Sequence, residues 1–287
     1  MNKYIVFAVL AAVFYAMSVP LSKILLDRGL SSTMLAGFLY LGAGLGMTFF
    51  HLKKKDKKEA FSKREIKYVV LMVVLDILAP ISLMIGLKMN QPETVSLLNN
   101  FEIVATSLIA YFLFREKIKP RLWVALVIIT LATVLLSIED VNRLSFSFGS
   151  LFVILACIFW GLENNCTRAL SHHYVQTIVL IKGIFSGIGA LLVAFLVREW
   201  TWQAAEMGLA LILGFVSYGL SVYFYVYAQR GLGASRTSMY YAIAPFIGVV
   251  LSFILFFEIP QPTFYIALAL MAVGTYFAST ESQKKIE

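Results

Sequence analysis

Charge is scarce in this sequence: 14% of its 287 residues are charged, against 60% hydrophobic and a mean hydropathy of +0.83. A soluble domain is about half apolar and a quarter charged, so this chain lacks the polar residues to cover a water-exposed surface. Cysteine is nearly absent. Cys157 and Cys166 fall nine residues apart on one predicted helix, too far along a straight helix to bridge; they read as two small buried residues. The three histidines, His51, His172 and His173, lie in or beside predicted loops. The adjacent pair points two ways on a helix and lacks the spacing of metal ligands, so no metal is assigned. No GxxxxGKS loop, HExxH or GxSxG occurs. ATP drive within the chain and intramembrane catalysis therefore lack their usual residues, and no motif implies a cofactor.

What is abundant is apolar sequence in blocks of about 20 residues, the length an α-helix needs to cross about 30 Å of hydrocarbon. Breaks marked by charge, proline or glycine divide the chain into spans near 4 to 26, 33 to 51, 67 to 87, 94 to 114 and 120 to 138. A second five follow near 148 to 170, 176 to 197, 207 to 229, 236 to 257 and 262 to 280. The expected fold class is all-α integral membrane with ten transmembrane helices. The first block is too long for a signal-peptide core and has no clear cleavage site, so it is expected to remain as a helix.

Basic residues are distributed unevenly. With the N-terminus placed in the cytoplasm, that side receives Lys3, the run from Lys53 to Lys67, the run from Arg115 to Arg121, Arg168, Arg230, Arg236, Lys284 and Lys285, 18 in all, against Arg28, Lys88, Arg143 and Arg198 on the other. This is a positive-inside pattern, which predicts a multi-pass protein of the cytoplasmic membrane with both termini inside. The densest basic stretch, HLKKKDKKEAFSKREIK, has no aromatic interleaving for base stacking. It reads as a topology-setting loop that touches lipid headgroups, and no nucleic-acid partner is expected.

The chain also repeats itself. A shift of 145 pairs Tyr15 with Trp160, Ser22 with Thr167, Lys23 with Arg168, Gly42 with Gly187 and Gly44 with Gly189; a shift of 142 pairs Lys88 with Arg230, Glu116 with Glu258, Pro120 with Pro262 and Ser137 with Ser279. The halves are 1–142 and 143–287. Because each holds five spans, the second enters the membrane from the opposite side, an inverted 5+5 repeat suited to alternating access around a midplane site.

The stretch from Gly86 to Ser137, echoed from Ala228 to Ser279, resembles the EamA-type repeat of the drug/metabolite transporter superfamily. Pro245, Glu258 and Pro262 follow its pattern; Ile103 stands where proline is usual, and Glu102 before it resembles the acidic residue of many members. Lys182 matches a basic residue the family often places early in the second helix of a half, whereas Gly37 does not. The resemblance implies a pathway lined by helices one to four and six to nine. It also implies helices five and ten at the periphery, often in a homodimer contact, and export of amino acids or movement of other small organic solutes.

Four ionisable residues fall inside spans, where a charge costs about 2.5 to 3.5 kcal/mol on insertion scales: Asp76, Glu102, Glu163 and Lys182. Glu102 lies about 12 Å deep and shares a helical face with Asn99 and Thr106. Asp76 is expected at similar depth. Either carboxylate could bind a substrate amine or carry a coupling proton, or be a hydrogen-bonded structural group. Glu163 shares a face with Trp160 and Thr167, and the repeat maps that face onto Tyr15, Ser18 and Ser22. Its pairing with Lys182 and a ligand-binding role both stand open. Lys23 and Lys88 are expected to snorkel. Asn100, Asn164 and Asn165 are cavity candidates or helix-to-helix hydrogen bonders. Tyr218, which the repeat maps onto Asp76, and Tyr223, Tyr240, Tyr241 and Trp160 offer an aromatic wall. Gly42 to Gly46 and Gly183 to Gly187 read as close helix packing. The function expected is a secondary transporter that moves an amino acid or similar metabolite outward. The alternatives are multidrug or organic-cation efflux and, more distantly, an intramembrane enzyme.

Overall fold

The computed structural model describes residues 3–51, 61–115, 117–140, 145–170 and 175–281. Parts of the Lys53-to-Lys67 run, the pair His172 and His173, Arg143, Glu116, Lys284 and Lys285 lie outside the described residues. Among the described residues the fold is all-α apart from one small hairpin. Eight helices are long and apolar enough to cross a membrane by length and composition; Ser32–His51 and the shorter Ala244–Phe256 complete the ten segments.

The first half comprises α1 (Lys3–Ala16) and α2 (Ser18–Asp27), which together form one broken span, α3 (Ser32–His51), α4 (Lys63–Met89), α5 (Pro92–Leu98) and α6 (Phe101–Phe114), a second broken span, and α7 (Pro120–Ser137). A two-stranded antiparallel hairpin, β1 (Ile138–Asp140) with β2 (Ser145–Phe146), leads to the second half. There α8 (Phe148–Ala169) is followed by α9 (Val175–Ile181) and α10 (Gly187–Leu196), joined by a π-helical turn over Lys182–Ser186. A second π-helical stretch, Phe215–Leu220, joins α11 (Ala204–Gly214) to α12 (Ser221–Tyr241); α13 (Ala244–Phe256) and α14 (Pro262–Glu281) end the chain's helices.

Helical backbone runs unbroken through α12, yet the rings of Tyr225 and Tyr241 lie 5.0 Å apart. Sixteen residues of straight helix would separate them by about 24 Å. The run therefore doubles back between them, ending the eighth span and starting the ninth.

Prolines start helices here. Pro92, Pro120 and Pro245 occupy first-turn positions and Pro262 opens α14, where the missing N–H has no helical partner to lose. Pro80 instead lies inside α4. It withholds the hydrogen bond that would otherwise end on the Asp76 carbonyl, four residues earlier.

Spans of the two halves pack on one another in pairs. The first span packs on the eighth and the sixth on the third, while the second packs on the seventh and the fifth on the tenth. The left-handed residues that end α6 and α13, Arg115 and Phe257 (φ 53° each), stand 142 apart, the offset found in the sequence. Glycines let α3 approach the second half closely: a Cβ on Gly42 would sit 2.0 Å from the Leu211 carbonyl oxygen, one on Gly214 would sit 2.0 Å from that of Leu39, and Gly44 lies against Gly183. Close packing is thus what these glycines do.

Among the described residues the buried apolar clusters differ between the two ends. At the end that carries the turns at 28–31, 90–91 and 197–203, one large buried cluster joins Leu26, Leu30, Leu35, Leu87, Val153 and Met207 across both halves. Polar ties close the same end: Thr33 donates to Glu199 at 2.6 Å, and Ser147 to Asn90 at 2.9 Å. Toward the other end the buried apolar residues divide into small separate clusters, Met72 with Leu75, Cys166, Leu170 and Ile178, and Ala12 with Ala16 and Ala244. Both cysteines are free and buried.

Candidate functional site

Three of the four intramembrane ionisable residues meet. Lys182 Nζ lies 2.9 Å from Glu163 Oε1 and 3.3 Å from Asp76 Oδ2, so the pairing left open in the sequence is made, and Asp76 joins it. Asp76 is 0% and Glu163 1% exposed, whereas 22% of the Lys182 side chain remains accessible. Two buried carboxylates against one ammonium leave, with all three ionised, one uncompensated negative charge. Burial of this kind is costly unless hydrogen bonds add to the ion pairs. They do: Tyr40 Oη donates to Asp76 Oδ1 at 2.9 Å, Trp160 Nε1 donates to Tyr40 Oη at 3.2 Å, and Thr167 donates to Glu163 Oε1. The Thr167 bond closes the i to i+4 face predicted for Glu163.

The local backbone sets this geometry. Lys182 opens the π-helical turn of the seventh span, and an extra residue in a turn rotates the subsequent side chains by about 100° relative to an α-helix. Asp76 sits one turn before Pro80 on α4, and Glu163 lies near the end of α8.

Glu102 stands in a second network. Asn164 Nδ2 donates to Glu102 Oε1 at 2.6 Å and to Thr106 Oγ1 at 3.3 Å, and Asn165 Nδ2 reaches the Thr106 carbonyl at 3.2 Å. Both asparagines therefore take the helix-bonding role, between α8 and α6. Asn100 likewise accepts from Thr275 at 3.4 Å.

A narrow cleft with room for about one water molecule is lined by Tyr15, Ser18, Ser96, Asn99, Ala244 and Pro245 among others. It opens where two spans are interrupted, after Leu98 in the fourth and at Ala242 and Ile243 in the ninth. The two interruptions lie 143 residues apart, within one residue of the offset of 142 found in the sequence. Asn99 is 8% exposed, and its Oδ1 has no hydrogen-bond partner.

Aromatic rings join the parts. Tyr40 and Tyr218 centroids are 5.5 Å apart, Tyr218 and Tyr15 6.0 Å, and Tyr15 and Tyr241 5.6 Å. The chain of rings thus runs from the Lys182 network, through Tyr218, to the cleft and Tyr241. Tyr223 stacks instead against Phe224 and Tyr227.

Tyr40 escaped sequence reasoning because its helical neighbours three and four residues away, Gly37, Ala36, Ala43 and Gly44, are all small and apolar. Ser96 and Glu93 escaped it as well. Glu93 fell just outside the span expected from residue 94, yet it is 2% exposed. Lys23 does more than snorkel: its Nζ lies 3.3 Å and 3.4 Å from the carbonyls of Leu87 and Lys88 at the end of α4, and 3.4 Å from Asp27.

Residues 2–138 and again 147–280 match the EamA-like transporter family. The chain belongs to that family. Among relatives of this EamA-like protein, an uncharacterized transporter of Methanothermobacter thermautotrophicus is 25% identical over 269 residues, 86% of this chain and 78% of its own. An uncharacterized transporter of Clostridium kluyveri is 21% identical over 300 residues, covering 99% and 95% of the two chains. The uncharacterized transporter YyaM of Bacillus subtilis is 21% identical over 206 residues, 69% of this chain and 68% of its own. One solved crystal structure shares the fold, with a TM-score of 0.70 at 15% identity over 100% of both chains. The EamA-like chain is thus a multi-pass membrane protein of a transporter family.

Proposed function

We propose that this EamA-like protein is a secondary transporter that moves a small zwitterionic metabolite, an amino acid or a close relative, out of the cell by alternating access. The observation that carries the reading is Lys182 held between Asp76 and Glu163 at 3.3 Å and 2.9 Å in the middle of the bundle, with part of the lysine side chain exposed and an aromatic chain leading to a cleft. An ammonium beside carboxylates offers complementary partners to both ends of a zwitterion: Lys182 for its carboxylate, and Glu102 or Asp76 for its amine. The tyrosines and Trp160 supply apolar surface for a side chain.

In this reading the halves 1–142 and 143–287 are inverted copies, both termini are cytoplasmic, and the sealed end faces outward. Spans five and ten, α7 and α14, pack along each other and turn apolar rows outward, including Val127, Leu131, Ile266 and Tyr276. Lipid or a second copy covers these rows. A second reading, efflux of organic cations, draws on the excess negative charge and the tyrosine-rich wall.

A thermal-shift screen of amino acids against lipophilic cations on the purified protein separates the two readings, because a ligand that binds the folded state raises its melting temperature. Stabilisation by an amino acid, followed by its flux in proteoliposomes, supports the first; stabilisation by lipophilic cations alone replaces it with the second. Glu102→Gln is expected to abolish or uncouple flux with the fold intact. Normal flux with normal proton dependence in that variant removes Glu102 from the mechanism.

A further inference from the structure

The fourth span carries polar side chains at every third position from the sealed end inward: Glu93, Ser96, Asn99 and Glu102. Such neighbours lie about 5 to 6 Å apart at their Cβ atoms, within reach of one another or of one bridging water. Where the span breaks, the N–H groups of Asn100, Glu102 and Ile103 bond three residues back, at 3.2, 3.1 and 3.0 Å. That tighter winding stacks Asn99 over Glu102.

Three of these side chains are more than nine-tenths buried, and each has an atom without a hydrogen-bond partner: Glu93 Oε2, Ser96 Oγ and Asn99 Oδ1, at 2%, 3% and 8% residue exposure. Leaving buried polar atoms unmade costs about 1 to 3 kcal/mol each, and more for a charge. One such atom is ordinary; three in succession along one helix mark a continuous polar strip in an otherwise apolar end of the bundle. The α5 backbone carrying them packs chiefly on α13 and α2, and Gly248 of α13 lies against Ser96. Of the charged groups at this end, Lys23 on α2 and Glu258 beyond α13 are the ones that act on Glu93, while Asp27, Arg28, Lys88, Arg198 and Glu199 share the same end. Lys23 is committed to the carbonyls of Leu87 and Lys88 and to Asp27.

We propose that Glu93 is a second proton-carrying residue of the transport cycle, neutral while the sealed end is closed and releasing its proton to outside water as that end opens. This rests on the transporter reading above and adds a station to it, with Ser96 and Asn99 lying between Glu93 and Glu102 along the span. Ionised Glu93 needs water at Oε2, so deprotonation favours separation of α5 from α2 and α13; protonation favours closure.

The test is the reactivity of a cysteine at Val95, 0% exposed beside Glu93, in full-length protein with Cys157 and Cys166 replaced by alanine. The protein is held in nanodiscs of phosphatidylethanolamine and phosphatidylglycerol and labelled with a charged methanethiosulfonate. A cysteine at Trp202, 83% exposed, corrects for the pH dependence of the thiol itself. The corrected Val95→Cys rate is expected to rise by on the order of tenfold across a series from about pH 4 to about pH 9, as the ionised fraction of the carboxylate grows. Glu93→Gln should hold the low-pH rate across the series, and Glu93→Asp should keep the rise. A corrected rate independent of pH, or one that rises equally in Glu93→Gln, overturns the proposal. Labelling needs no flux, so that result leaves the transporter reading standing, whereas a protein with the pH response but no transported solute fails that reading alone.

Discussion

At the residue scale, the ion network decides more than any single group in it. Lys182 compensates two carboxylates that are almost wholly buried, so removing it leaves both without their cation. Truncating one partner of a buried pair costs about 3 to 5 kcal/mol. Lys182→Met is expected near the lower end of that range, because a fifth of the lysine side chain is accessible to water. The measurement is the melting temperature in detergent, compared with the triple variant that also carries Asp76→Asn and Glu163→Gln. The triple variant should melt higher than Lys182→Met alone. If the two melt alike, the carboxylates are not what the lysine stabilises. The pairing of Glu163 with Lys182 was geometrically reasonable from depth alone, since each lies a similar distance from one boundary. That Asp76 shares the same lysine was not legible, because it depends on how the third span is rotated.

At the element scale, interruptions matter as much as helices. Ten apolar blocks were readable to within a few residues. Their breaks were not: an apolar run gives no sign of a π turn at Lys182–Ser186 or Phe215–Leu220. Asn99 and Asn100 do explain the break in the fourth span, since a short amide side chain competes for backbone hydrogen bonds, and Asn100 Nδ2 bonds the Leu97 carbonyl at 3.2 Å. Helix-to-helix contact is the other quantity of this scale. Gly42 and Gly214 each face a backbone carbonyl of the opposite helix, which cannot swing away as a side chain can. Gly42→Ala and Gly214→Ala are each expected to cost about 1 to 3 kcal/mol through overpacking, read as lower melting temperatures. Gly208→Ala, with open space at its Cβ, should leave the melting temperature unchanged. Equal behaviour of all three would mean that α3 and α11 can separate without cost.

At the scale of the whole molecule, the two halves are one folding unit. The main buried cluster alternates between them, Leu35 and Leu87 against Val153 and Met207, and the cluster between the fourth, fifth, ninth and tenth spans does the same with Val104, Ile129, Val249 and Met271. Neither half alone covers its inner face. Residues 1–142 expressed by themselves are expected to elute as aggregate in size-exclusion chromatography, and co-expression with 143–287 should recover a monodisperse complex. A monodisperse, thermally cooperative 1–142 fragment would show the first repeat to be independent.

The sequence by itself determined the membrane class, the ten segments, the twofold repeat and the short list of charged residues inside the spans. These come from hydropathy, length and spacing, which are properties of the chain alone. Only the tertiary structure decided that Asp76, Glu163 and Lys182 meet around Tyr40 while Glu102 pairs with Asn164, and that Glu93 is buried at the sealed end. Those facts depend on helix rotation and tilt, and in a bilayer the apolar side chains that face lipid and those that face another helix are chemically alike.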